Sequence, residues 1–354
     1  MREAAMIRPI DKEAVRKSKY HWDHIAKPLN GLGKMEELVS KIAGIQGKEE
    51  VEIKKKAIVV MCSDNGVCCE GVTQTGKEVT AIVTENFAKG ITSVNAMSKA
   101  AGADVFPVDI GVDGDLKETD VLKRKVAYGT NNIKTGPAMT KEQARKAIRI
   151  GIDIVRTLKQ KGYEIIGTGE MGIGNTTTSS AVASVLLNVD PAEVTGKGAG
   201  LSYEGILHKT EVIREAIRVN QPDRTDSIDV LSKVGGFDIA GLMGVFLGGA
   251  MYHIPIVIDG VISAAAALLA KQAVPATVEY MIPSHLGKEP AAALIMKELG
   301  LEPVIHAELA LGEGTGAVLL FPLLDLTMSV YNQNKTFDEI DVEAYHSFDN
   351  EEAT

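Results

Sequence analysis

Short apolar runs rich in β-branched residues alternate with longer helical patterns along this chain. The runs cover residues 57–62, 105–110, 164–167, 254–258 and 277–282, and the helical patterns include 78–100, 140–161 and 176–187. The runs 57–62 and 254–258 hold no charged residue, as expected of strands covered on both faces. Buried strands separated by helices predict an α/β protein with a doubly wound, mostly parallel sheet. The first 50 residues read as helical and polar. An apolar helix over 317–331 leads into an acidic tail ending Asp349-Asn350-Glu351-Glu352-Ala353-Thr354, which is expected to fray. Residues 239–258 contain no Asp, Glu, Lys or Arg, a length that could cross a bilayer. Glycines, His253 and Pro255 interrupt that stretch and no anchoring residues flank it, so a buried helix followed by a buried strand is predicted.

Charge narrows the partners. With 38 Lys+Arg against 47 Asp+Glu, the formal net charge is −9. This argues against nucleic-acid phosphates and anionic membrane surfaces as partners. Aromatic residues make up only 5%, poor material for stacking on bases. The cysteines are Cys62, Cys68 and Cys69, an odd set without a C-x-x-C pair, which predicts reduced thiols in a cytoplasmic protein. The opening residues lack an apolar signal core, so no export is expected. His21 and His24 sit three apart with no third ligand nearby in sequence, and no metal or cofactor is expected.

Several strand runs end in an acid or amide: Asp64-Asn65, Asp109, Glu170, Asp259 and Ser284-His285. Ligands of open parallel sheets bind beyond the carboxyl ends of the strands, so these residues are expected to converge on one crevice. The sharpest local feature is Gly167-Thr168-Gly169-Glu170-Met171-Gly172-Ile173-Gly174-Asn175-Thr176-Thr177. It follows a strand and opens a helix, where N–H groups and the helix dipole favour an anion. Gly167, Gly169 and Gly172 fit a dinucleotide fingerprint, but no second strand with a terminal acid follows. Asn175 stands where a triphosphate loop needs lysine, so a site for one phosphate is the more natural reading. Glu170 is out of place beside a phosphate, unless it serves a ribose hydroxyl or a developing cation. A second loop, Leu311-Gly312-Glu313-Gly314-Thr315-Gly316, opens the last helix. Its flanking glycines permit close approach to a ligand, and a carboxylate poised by burial can act as general base.

With both loops in place, the chain resembles the nicotinate-nucleotide–dimethylbenzimidazole phosphoribosyltransferase family of cobalamin lower-ligand assembly. Further resemblance is carried by Lys27-Pro28-Leu29-Asn30-Gly31-Leu32-Gly33-Lys34-Met35-Glu36, Glu70-Gly71-Val72-Thr73, Glu78-Val79-Thr80 and Val108-Asp109-Ile110-Gly111-Val112. The resemblance implies a Rossmann-like sheet domain over 36–314 and a small helical domain from 1–35 plus 315–354, in a cytoplasmic homodimer. It implies transfer of the phosphoribosyl group of nicotinate mononucleotide to 5,6-dimethylbenzimidazole or a related base. The products would be α-ribazole 5′-phosphate and nicotinate. Glu313 matches the family's general base and Glu170 a second acid, placed near the ribose. Gly172, Ile173, Gly174, Asn175 and Thr176 match the phosphate loop, and Lys209 a phosphate-contacting lysine. Asp259, Leu311 and Gly312 belong to the substrate crevice, and Thr73 and Lys77 to the acceptor region.

The chain departs from the family pattern at Asn65, at Gly76-Lys77 and at Gly287-Lys288. The second departure leaves the acceptor open to another benzimidazole, adenine or a phenol. Two further readings stand beside this one: a dinucleotide-dependent oxidoreductase resting on Gly167, Gly169 and Gly172, and a nucleotide-binding protein without turnover.

Overall fold

The structure, a computed structural model, describes residues 7–345. The acidic tail from Asp349 lies outside the described residues. Six strands form one parallel sheet: β1 (Lys56–Ser63), β2 (Ala103–Gly111), β3 (Leu122–Lys123), β4 (Ile165–Met171), β5 (Ile256–Ile258) and β6 (Met281–Pro283). Their order is β3-β2-β1-β4-β5-β6, with every neighbouring pair parallel. The chain thus winds outward from β1 in one direction and from β4 in the other. The crevice between them is the switch point at which such sheets bind ligands.

β1 is buried along its whole length. Successive side chains point to opposite faces of a strand. Ala57, Val59 and Met61 therefore enter one core with helices α5 (Lys141–Gln160), α6 (Asn175–Leu187), α10 (Phe237–Tyr252) and α11 (Val261–Ala273). Ile58, Val60 and Cys62 enter the other with α2 (Lys34–Gln46), α4 (Ser93–Ala101) and α13 (Thr315–Gln333). The uncharged stretch 239–258 is α10 followed by β5, as its pattern predicts. Its glycines press backbone on backbone: a Cβ on Gly244 would lie 2.0 Å from the Ile148 carbonyl oxygen of α5. Among the described residues, no helix is long and apolar enough to cross a membrane.

Three expectations change. The helix over 78–100 is two helices, α3 (Glu78–Lys89) and α4. Gly90 ends α3 in the left-handed region at φ 74°, and Thr92 starts α4 with a capping box on Asn95. The run 277–282 is mostly a 3₁₀ turn, Pro275–Tyr280, with a strand only at Met281–Pro283. The strand expected at 164–167 continues to Met171, so half of the glycine-rich segment is sheet rather than loop.

Candidate active site

The two glycine-rich segments meet at Gly169. A Cβ there would stand 2.4 Å from the Glu313 carbonyl oxygen, so only glycine admits the second loop against β4. Gly312, Glu313 and Gly314 all have positive φ, at 85°, 62° and 98°. For Glu313 this left-handed conformation carries strain, as residues at functional sites often do. The loop is tied down by Asp259, at the carboxyl end of β5. Its carboxylate accepts N–H bonds from Gly314 (3.1 Å), Gly316 (2.8 Å) and Ala317 (3.3 Å). Asp259 therefore caps α13 as well as facing the crevice. Burial pushes its carboxyl up, opposed by His285 and by these N–H groups.

A cavity of about 300 Å³ opens at this junction. Its wall includes Glu170, Met171, Gly172, Ile173, Asn175 and Thr176 from the first segment, and Leu311, Gly312, Glu313 and Thr315 from the second. Asp259, Ser263, His285, Lys288 and Glu289 add polar wall, and Val83, Ile262 and Leu309 add apolar surface. At the N-terminus of α6, Gly174 takes φ 94° and no side chain caps the helix. The α13 terminus is filled by Asp259, whereas the α6 terminus faces the cavity without a side-chain cap. A helix N-terminus left open in this way has the N–H groups and dipole that favour an anion. Lys209 stands just behind it, fully buried, with Nζ donating to Thr176 Oγ1 at 2.8 Å. Burial lowers its pKa to about 8, opposed by Glu289.

Glu313 is half-buried, and its Oε2 accepts the Val94 N–H of α4 at 3.0 Å. Burial raises its pKa, opposed by the N–H groups of Val94 and Ser93. Glu170 lies opposite within β4 and is pushed up to about 8, first by burial and then by the charge of Asp238. Asn175 Nδ2 donates to Glu170 Oε2 and, at 3.1 Å, to Asp238 Oδ2. Asp238 is the residue that sequence reasoning missed. Its only signal was an acid opening an otherwise apolar helix after Gly235-Gly236.

Not every expected residue reaches the cavity. Asp109 pairs with Lys125 at 3.2 Å and accepts the Val112 N–H, a structural role. Asp64 accepts the Asp113 N–H at 2.7 Å, and Asn65 packs behind Gly172 and Gly174. Thr73 and Lys77 lie on the neighbouring loop and do not line the cavity. The Thr73 hydroxyl donates to the Thr75 carbonyl, and Lys77 pairs with Asp113 at 2.5 Å. Cys62 is core, and burial pushes its thiol up to about 12. His21 contacts the Tyr331 carbonyl at 2.8 Å, joining the two chain ends.

A doubly wound sheet with an open helix terminus and several acids around one cavity at its switch point has the architecture of an α/β enzyme. Residues 7–342 match the sequence profile of a phosphoribosyltransferase family. A nicotinate-nucleotide–dimethylbenzimidazole phosphoribosyltransferase from Ruminiclostridium cellulolyticum is 49% identical over 96% of each chain. One from Acetivibrio thermocellus is 50% identical over 91% of this chain and 92% of its own. The crystal structure of CobT from Thermus thermophilus superposes with a TM-score of 0.89 at 35% identity, covering 94% of this chain and all of that one. The chain belongs to the nicotinate-nucleotide–dimethylbenzimidazole phosphoribosyltransferase family.

Proposed function

We propose that this enzyme moves the 5-phosphoribosyl group of nicotinate mononucleotide to 5,6-dimethylbenzimidazole or a closely related base. The observation that carries the reading is one cavity shared by the uncapped α6 terminus and the Glu313 carboxylate. The donor phosphate sits at Gly172, Ile173, Gly174, Asn175 and Thr176, with Lys209 adding charge from behind. The bond from ribose C1′ to the nicotinate nitrogen breaks, and its electron pair leaves with nicotinate. Because that nitrogen is already cationic, the leaving group needs no further acid. A benzimidazole nitrogen attacks C1′ from the opposite face and forms the α-linked product. As it attacks, the proton on its other nitrogen passes to Glu313. A base with a raised pKa suits this transfer near neutral pH. Glu170 sits at the ribose, and Asp259 and Gly312 shape the crevice. Leu311, Met171 and Val83 supply apolar surface for the incoming ring. Thr73 and Lys77 act from the adjoining loop on the approach of the acceptor.

The same reading makes the protein a cytoplasmic homodimer. Exposed Leu32, Leu323 and Leu326 border one groove, an apolar surface suited to a second copy. A monomeric mass in sedimentation would contradict it. It also groups 1–35 with 315–354 as a small helical unit beside 36–314. The Ile25–Thr336 bridge and the packing of Trp22 on Tyr331 tie the two ends together.

The test is a mass-spectrometric assay with nicotinate mononucleotide and a panel of benzimidazoles, adenine and phenols. A riboside phosphate formed with stoichiometric nicotinate is expected, most readily from 5,6-dimethylbenzimidazole. Donor binding without product from any acceptor would overturn the reading.

A further inference from the structure

Asp238 takes no part in the steps above, yet the site is built around it. Its side chain is wholly buried at the start of α10. A Cβ on Gly172 would lie 2.8 Å from its Oδ2, and one on Gly236 would lie 2.3 Å from its Oδ1. Two glycines thus make room for this carboxylate. The single Asn175 amide nitrogen bridges it to Glu170. Glu170 reaches the cavity and Asp238 does not.

The groups facing this pair come from every surrounding element. Asn65 follows β1, Cys62 lies on β1 and Asn175 opens α6. Asp259 follows β5, and Glu313 precedes α13. The charges that act most on Glu170 are acidic, Asp238 first, and the basic side chains in its cavity wall are His285, which faces Asp259, and Lys288. Two like charges in a dry site resist ionising together, so such a pair holds one proton over a wide pH range and titrates as a unit.

We propose that Asp238 is a positioning residue that carries the pair's one negative charge behind the cavity wall and holds the proton on Glu170. Glu170 then presents an O–H to the cavity rather than a second charge. The part concerning the donor rests on the function proposed above: a neutral Glu170 donates to a ribose hydroxyl and does not repel the phosphate at α6. This accounts for an acid inside an anion-binding segment. The direction of the shifts agrees, since burial and Asp238 push Glu170 to about 8 while burial takes Asp238 to about 6.

Infrared difference spectroscopy on the ligand-free full-length protein tests this without reference to any substrate. A protonated-carboxyl stretch should persist at neutral pH and vanish with a midpoint near 8. Glu170→Gln should remove it. Asp238→Asn should lower its midpoint by about one pH unit or more, because the like charge is gone. A purely structural Asp238 would leave that midpoint in place. The inference is overturned by absence of the band at neutral pH, by its survival in Glu170→Gln, or by an unmoved midpoint in Asp238→Asn. Should Asp238→Asn not fold, Glu170→Gln gives the reciprocal reading: residue 170 is neutral in both proteins as Asp238 titrates, so Asp238 must stay ionised at neutral pH with its midpoint still near 6, and a protonated Asp238 at neutral pH in the variant overturns the inference. A failed transfer assay with these spectra intact would refute the proposed reaction and leave the pair standing.

Discussion

Glu313→Gln separates proton transfer from everything else this residue does. Glutamine keeps the shape and retains an acceptor oxygen for the Val94 N–H, 3.0 Å away in the native protein. It adds no branching at a position already held at φ 62°. What disappears is the base. General-base catalysis contributes roughly 10²–10⁴-fold, or about 2.7–5.4 kcal/mol at about 1.36 kcal/mol per decade. We expect kcat to fall within that range in the mass-spectrometric assay, with nicotinate mononucleotide affinity changed by less than about twofold. Burial raises the Glu313 pKa, so native kcat should decline as pH falls through that raised value. The glutamine variant should be flat there. Stability has a definite sign too. A folded pKa above the unfolded one means stability is lost as pH rises through the folded value. The variant, which cannot ionise, should therefore melt at or above the wild-type temperature at neutral pH. A rate within about threefold of wild type would refute the assignment, given the size of effect expected of a base. So would a rate loss matched by lower melting temperature and weaker donor binding.

Gly169→Ala should lower both melting temperature and kcat, because the new Cβ meets backbone at 2.4 Å and overpacking costs about 1–3 kcal/mol; thermal melts and turnover on one preparation check this. Lys209→Met should weaken nicotinate mononucleotide binding about tenfold or more at neutral pH, the loss expected when a charge-assisted contact is removed. In the wild type, Lys209 loses its proton as pH rises through about 8, so calorimetric donor affinity should fall across that range and flatten in the variant. Chelator treatment should leave turnover unchanged, since the cationic pyridinium nitrogen already makes nicotinate a good leaving group.

The sheet was readable from sequence because its central strands are covered on both sides. The composition of 57–62 and 254–258 could fit little else. The break in 78–100 was hidden, because apolar spacing runs on across Gly90 while the backbone does not. The end of β4 is hidden in sequence because glycine disfavours strand, and its glycines serve contact with Glu313 and Ala317 rather than a turn. Glu313, Glu170 and the α6 terminus could be located from local motifs. Asp238 could not, because its meaning depends on Asn175, distant in sequence and brought beside it only by packing. Asp109 misled for the opposite reason: a strand-end acid satisfied by Lys125 looks the same in sequence as one facing a ligand.

The bare position at Gly169 makes the two arms of the site a single joint. The segment proposed to hold the phosphate and the one proposed to carry the base are far apart in the chain, yet they touch at Gly169, so a shift in one is felt by the other. Changes in ring preference must then be absorbed elsewhere on the wall. Val83, on α3, and Leu309 and Leu311, before the joint, are apolar wall positions outside it. A library built to widen acceptor scope should randomise those positions and leave 167–169 and 312–316 untouched. Diversity placed at the joint would alter the donor and the base together, and the two effects could not be selected apart.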